Sequence, residues 1–225
     1  MITITDLNKS FGFTNALIDI NLQFDPGMVY GIIGPNGAGK STLFNCMAGT
    51  INYNGHISFR DPDMKNHTGL LPTDPYMMSW VTGREYLRFI CNARKIKDVN
   101  IDRSNVFDLP LDCFASTYST GMKKKLAITG ILLQKNQLFI LDEPFNGVDI
   151  QSNLLITEII LALKAQKRTL IISSHILSSL TDTCDFFIIL KEGRVVKQAA
   201  KHEFAEIERE MRVKEIGNKL DRLVL

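Results

Sequence analysis

Apolar and polar residues alternate from Ile18 to Phe24: Ile18, Ile20, Leu22 and Phe24 are separated by Asp19, Asn21 and Gln23. That two-residue period predicts a strand with one face in a core, and Asp25-Pro26-Gly27 then predicts a turn. The opening of the chain therefore reads as antiparallel β. From Met28 the pattern changes to short unbroken apolar runs, MVYGII at Met28, LFIL at Leu138 and TLIIS at Thr169. Runs of this kind are expected for strands covered on both faces. Helical segments separate them. One follows an Asp149 cap through Gln166, and another opens with a capping box formed by Thr82 and Glu85. Strands alternating with helices predict a mostly parallel α/β sheet.

Residues 76–120 contain no convincing core strand and predict a mainly helical subdomain inserted between sheet strands, with a loose loop at DLPLDC, Asp108 to Cys113. FFIILKEGRVVKQ predicts a hairpin turning at Glu192 and Gly193. In 202–225, Phe204, Ile207, Met211, Ile216, Leu220 and Leu223 follow a roughly helical spacing, which predicts an amphipathic C-terminal tail. No repeat or long linker interrupts the chain, so 1–225 reads as a single domain.

Composition narrows the function classes. The net charge is +2, from 26 basic and 24 acidic residues, so there is no global field that would recruit nucleic acid or anionic lipid. Cys46, Cys91, Cys113 and Cys184 are far apart and form no C-x-x-C pair; they are expected to be buried small apolar residues in a reducing cytosol. No secretory leader and no apolar run of membrane-spanning length is present, so any membrane part is expected from another chain.

The chemistry is concentrated at a few points. Gly34 to Ser41, GPNGAGKS, fits G-x-x-x-x-G-K-[ST] between an apolar strand and a helix-compatible segment. Gly34, Gly37 and Gly39 free the backbone to turn its N–H groups toward phosphate oxygens, and the following helix adds its positive end. Lys40 reaches the terminal phosphates and the Ser41 hydroxyl can ligate Mg²⁺. The nucleotide candidates are thus Gly34, Pro35, Asn36, Gly37, Ala38, Gly39, Lys40, Ser41 and Thr42. LFILDEP ends an apolar strand in two adjacent carboxylates at the carboxyl edge of a parallel sheet, where ligands of open α/β folds bind. Asp142 suits a Mg²⁺ shell, and Glu143 suits polarising a water for in-line attack.

These motifs, with YSTGMKKKLA at Tyr118, NGVD at Asn146 and SSH at Ser173, resemble in this order the ATP-binding subunits of ABC transporters, from Leu7 to about Gln198. Local phrases look most like bacterial two-component exporters. The resemblance implies a P-loop NTPase core, an N-terminal antiparallel β subdomain and an inserted helical subdomain carrying the signature motif. It implies that Ser119 and Gly121 are presented to the γ-phosphate held by an opposite subunit, that His175 contacts that phosphate, and that Asp149 touches the partner's site. Phe11 matches the aromatic that stacks on adenine, with Phe13 a close competitor and a core role open for either. Thr73 stands where the family has a Mg²⁺-sensing glutamine, Thr120 where a second glycine is common, and Met122 where glutamine is common. Lys123, Lys124 and Lys125 read as a solvated helix face, not a nucleic-acid patch.

The implied activity is Mg²⁺-dependent ATP hydrolysis, with Glu143, His175 and Lys40 as the catalytic set. The implied partners are an integral-membrane permease and a second copy of the chain or a homologous ATPase subunit, at the inner face of the cell membrane. A non-transport ABC-type ATPase and a slow nucleotide-switch regulator are the alternatives. NKLD at Asn218 fits a guanine-binding motif, but it lies in the tail with no apolar strand before it, so chance explains it better than a GTPase does.

Overall fold

The computed structural model describes residues 1–175, 180–206 and 209. The chain runs through β1 (Ile2–Phe11), β2 (Thr14–Phe24), β3 (Val29–Ile33), α1 (Lys40–Ala48), β4 (Asn54–Phe59) and β5 (Thr68–Leu71). It continues through α2 (Gly83–Ala93), α3 (Thr120–Leu133), β6 (Leu138–Asp142), α4 (Ile150–Ala165), β7 (Thr169–Ser174), β8 (Phe186–Lys191) and β9 (Arg194–Ala200). Two sheets result: a three-stranded antiparallel one in the order β2-β1-β4, and a six-stranded one in the order β5-β6-β7-β3-β8-β9. The larger sheet is parallel except for the β8–β9 hairpin at its edge. That hairpin turns at Glu192 and Gly193, both with positive φ, as a two-residue turn matched to strand twist requires. The fold is the one the resemblance implies, a P-loop NTPase core with an antiparallel β subdomain.

The unbroken apolar runs are divided between two cores by strand alternation. Val29 and Ile33 of β3, Phe139 and Leu141 of β6, and Leu170 and Ile172 of β7 face a core shared with α2, α3 and α4. Tyr30, Ile32, Leu138, Ile140 and Ile171 face the other core, shared with α1 and the antiparallel sheet. Burial on both faces leaves place for polar residues in these strands only where a partner satisfies them, as for Ser173 in β7.

Three expectations need correction. The β2 alternation does not run unbroken, because Asp19 has φ 51° and the β1–β2 register shifts between Leu7 and Lys9. The bulge changes the parity of the strand, so Leu17 and not Ile18 is fully buried beside Ile20. Within 76–120, α-helix covers Gly83–Ala93 and the start of α3, with one short 3₁₀ turn at Ala115–Thr117. The rest is irregular but tied down. Residues 111–115 strap the N-terminus of α2 through Gly83 N–H to Cys113 O, Arg84 N–H to Leu111 O and Ala115 N–H to Val81 O. Tyr118 Oη donates to Pro110 O at 2.6 Å, and Arg84 pairs with Asp102 and Asp112, so the DLPLDC loop is not loose. Finally, Cys113 is exposed on this strap, whereas Cys46, Cys91 and Cys184 are buried as expected. Most of the proposed C-terminal tail lies outside the described residues; of its stripe, Phe204 stacks on Phe187 with ring centroids 3.9 Å apart.

Candidate nucleotide site

Four strand ends of the parallel sheet converge. Parallel register sets Ile33 beside Ser174, Asp142 beside Ser173 and Leu71 beside Leu141. The phosphate-loop residues after β3, Thr73 after β5, Glu143 after β6 and His175 after β7 therefore emerge at one edge. They wall a cleft of about 510 Å³ together with Thr14, Asn15 and Ala16 of β2.

The α1 helix opens at Gly39, whose φ of 106° and Cβ position, which would lie 2.6 Å from Ala16 O, admit only glycine. No side chain caps α1, so its first-turn N–H groups are left for an external anion. The loop is braced from behind by the hairpin tip, where Gly193 N–H donates to Ala38 O at 3.0 Å. Lys40 is buried; its Nζ donates to Gly34 O at 2.7 Å and to Pro35 O at 3.3 Å and lies 3.4 Å from Glu143 Oε1.

Glu143 is buried on the opposite wall, with Oε2 2.9 Å from His175 Nδ1. Among the described residues its Oε1 makes no hydrogen bond, so a buried carboxylate oxygen is left beside Lys40 while His175 holds the other one. That is the chemistry a water awaiting deprotonation would complete. Glu143 also has φ 50°, a left-handed conformation uncommon for a residue with a Cβ, and its N–H donates to Ser173 Oγ at 2.9 Å.

Asp142 is 3% exposed, and each carboxylate oxygen accepts a hydroxyl: Thr73 Oγ1 donates to Oδ2 at 2.7 Å and Ser173 Oγ donates to Oδ1. Among the described residues no cluster of three or more His, Cys, Asp or Glu is arranged to hold a metal. A divalent ion here would have to share its shell with phosphate oxygens, which is how Mg²⁺ is commonly bound, and Asp142 with the Ser41 and Thr73 hydroxyls is a fitting hard-oxygen donor set. The short Thr73 side chain reaches Asp142 directly.

The structure brings Asn36 to Thr42, Thr73, Glu143 and His175 into one cleft, with Asn146 added to it. Phe11 and Phe13 both stand exposed at the β1–β2 turn, neither in the core; Lys9 Nζ lies 4.8 Å from the Phe11 ring centroid, and Phe11 pairs with Thr14 at the cleft wall. Ser119, Gly121 and Asp149 lie outside this cleft, at two other helix starts. Ser119 caps α3 through Oγ to Met122 N–H at 3.2 Å. A Cβ on Gly121 would sit 2.6 Å from Gly147 O, so the helix start touches the 143–149 loop there.

Asp149 caps α4, accepting from Ser152 N–H at 2.9 Å, and pairs with Lys125 at 3.2 Å. The Ser152 amide and hydroxyl, then Lys125, hold its carboxyl well below the usual carboxylate range. A lowered folded value means the cap's contribution is fully present above about pH 4, the ordinary carboxylate range, and is lost as pH falls from there through the lower folded value. Asp149→Ala is expected to lower the melting temperature by a few degrees at pH 7. The difference should vanish in strongly acidic buffer; a constant difference across pH would remove the charge from the explanation.

Three residues here were missed by motif reading. Ser173 bridges Asp142 and Glu143, Asn146 lines the cleft, and Lys124 is not on a solvated face but is 1% exposed, with Nζ donating to Glu143 O and Asn146 O. The lysine run was misread because consecutive helix positions point about 100° apart, so three adjacent lysines cannot share one face.

Comparison with known proteins points to one family. The family profile described as ABC transporter matches residues 17–146. The ABC transporter ATP-binding protein NatA of Bacillus subtilis is 30% identical over 229 residues, covering 93% of this chain and 93% of that protein. The lantibiotic transport ATP-binding protein SrtF of Streptococcus pyogenes is 30% identical over 208 residues, covering 87% of this chain and 89% of its own. Among solved structures, cbiO1 from Clostridium perfringens, part of the ABC transporter complex cbiONQ, superposes with a TM-score of 0.73 at 26% identity, covering 96% of each chain.

Proposed function

Since the chain belongs to the ABC transporter family as an ATP-binding subunit, we propose that it hydrolyses MgATP at two sites shared by a head-to-tail dimer and so powers a separate membrane permease. The observation that carries this reading is the convergence of Lys40, Glu143 and His175 on one cleft beside an uncapped helix start. In it, the α1 amides and Lys40 bind the phosphates, which draws Lys40 from Glu143. The freed carboxylate takes a proton from the attacking water while His175 holds its other oxygen in place. Asp142, Ser41 and Thr73 would hold Mg²⁺, which when bound would neutralise phosphate charge. Ser119 and Gly121 would close on the nucleotide of the opposite subunit, and Phe11 would stack on the adenine.

The names of NatA, SrtF and cbiO1 support a transport role, in the case of SrtF transport of a lantibiotic. No helix among the described residues is long and apolar enough to cross a membrane, so the reading requires a partner that does. A groove of about 300 Å³ between β5, α2 and α3, lined by Tyr76, Tyr86 and Ile90 together with Thr68, Arg94 and Gln134, offers a mixed polar and apolar surface to it, and the large side chains of Tyr76, Trp80 and Phe89 are exposed.

The test is hydrolysis by the purified chain with MgATP, with ATP and a chelator, and with MgGTP, together with particle mass in each. Hydrolysis of ATP only with Mg²⁺, and a doubling of mass with ATP, is expected. Tight ATP binding without turnover, alone or with a permease present, would replace this reading with that of a nucleotide-switch regulator.

A further inference from the structure

Lys124 is a charge buried at a cost. Its side chain is 1% exposed, and among the described residues its ammonium makes no ion pair within 4 Å; it donates to two carbonyls, Glu143 O at 2.7 Å and Asn146 O at 2.9 Å. An ammonium removed from water with no carboxylate in direct contact is expensive, and Asp74, Glu143 and Asp142 offset only part of that cost from further off, so the two carbonyls it holds must have few cheaper ways of being satisfied. Both belong to the loop that follows β6, and Glu143 is a non-glycine residue there with a left-handed φ of 50°. A conformation of that kind persists only where the surroundings over-determine it. Ser173 Oγ pins the peptide before the Glu143 α-carbon and Lys124 pins the peptide after it.

The same helix holds the rest of the loop. Gly121 meets Gly147, and Lys125 meets Asp149 and Ser152. Residues 143–149 therefore ride on the first two turns of α3, whose N-terminus carries Ser119 and Gly121. We propose that Lys124 is a positioning residue: it aims Glu143 through the backbone and makes hydrolysis at a chain's own cleft depend on where its α3 helix sits. This rests on the reading of Glu143 as the base. The second carbonyl adds a consequence, because Asn146, in the cleft wall, moves with the same ammonium. A signature helix drawn toward the partner's nucleotide would carry Glu143 and Asn146 with it.

The experiment measures kcat and KM for ATP, ATP-dependent particle mass and thermal melting for the parent, Lys124→Met, Lys124→Gln and Glu143→Gln. Met and Gln both end one bond short of lysine Nζ; Met removes all donors, whereas the Gln amide keeps N–H donors and at that reach can serve one carbonyl. Lys124→Met is expected to lower kcat by at least about 10-fold with KM within about threefold and the ATP-dependent dimer intact. Lys124→Gln should fall between it and the parent. A kcat for Lys124→Met within twofold of the parent's, or a loss of dimer and a raised KM in step with kcat, overturns the positioning role. If Lys124→Met does not fold, Lys124→Gln decides: a threefold or larger fall in kcat at unchanged KM supports the proposal, and a parental kcat overturns it. A parent without Mg²⁺-dependent hydrolysis, or a Glu143→Gln variant with parental turnover, defeats the assignment of Glu143 and this inference with it. An inactive Glu143→Gln beside a parental Lys124→Met defeats this inference alone.

Discussion

Glu143→Gln is expected to lower ATP turnover by about 10²- to 10⁴-fold, the range for removing a positioned general base, while the ATP-stabilised dimer persists and becomes easier to isolate. The amide is isosteric with the carboxylate and keeps an oxygen for His175 Nδ1, now 2.9 Å from Oε2, so the cleft retains its shape. What disappears is basicity at Oε1, a buried side-chain oxygen that makes no hydrogen bond among the described residues. Nucleotide affinity should be unchanged or higher, because Lys40, 3.4 Å from Oε1, no longer has a carboxylate to leave when phosphate arrives. Single-turnover hydrolysis and light-scattering mass with ATP check both halves. Persisting turnover would move the base elsewhere, and lost dimerisation would make Glu143 a structural residue.

The second large effect is expected for Lys40→Met. Its Nζ is the cation of the phosphate loop, held by Gly34 O and Pro35 O in the wall of the cleft. Charge-assisted hydrogen bonds contribute roughly 1.5–3 kcal/mol each, so ATP affinity should fall by about 10- to 150-fold in an equilibrium titration with a fluorescent nucleotide. A change of less than threefold would show that the helix amides alone bind phosphate. Because Lys40 and Glu143 touch, Lys40→Met and Glu143→Gln should not be additive: with the glutamine in place, the lysine change no longer strands a buried carboxylate, and its cost to folding stability should shrink. Equal costs in both backgrounds would mean that the pair does not interact.

The elements easiest to foresee were those whose signal is contiguous. A phosphate cradle is made of consecutive backbone amides and needs Gly39 where no Cβ fits, so Gly34 to Ser41 announces itself in eight letters. Capping is equally local, and Thr82–Glu85 and Asp149 form the caps their spacing predicts. The antiparallel opening was visible as alternation, except at Asp19, where one left-handed residue reverses the parity that alternation assumes. The 76–120 region was less legible. Its order comes from Arg84, Tyr118 and the 111–115 strap, contacts between residues with no periodic pattern to betray them.

By itself, then, the sequence determined the layered α/β plan, the phosphate loop, the carboxylate pair at the end of β6 and the chain order of the motifs, because each depends on neighbours a few residues apart. Only the tertiary structure decided how those parts meet. Parallel register carried Ser173 to Asp142 and Glu143 from 31 and 30 residues away, and helix packing put Lys124 under a carbonyl 19 residues further on. A serine in a strand or a lysine in a basic run has no local signature for such a role. Its partner is chosen by which strand lies alongside and which helix face turns inward, and those choices belong to the whole core.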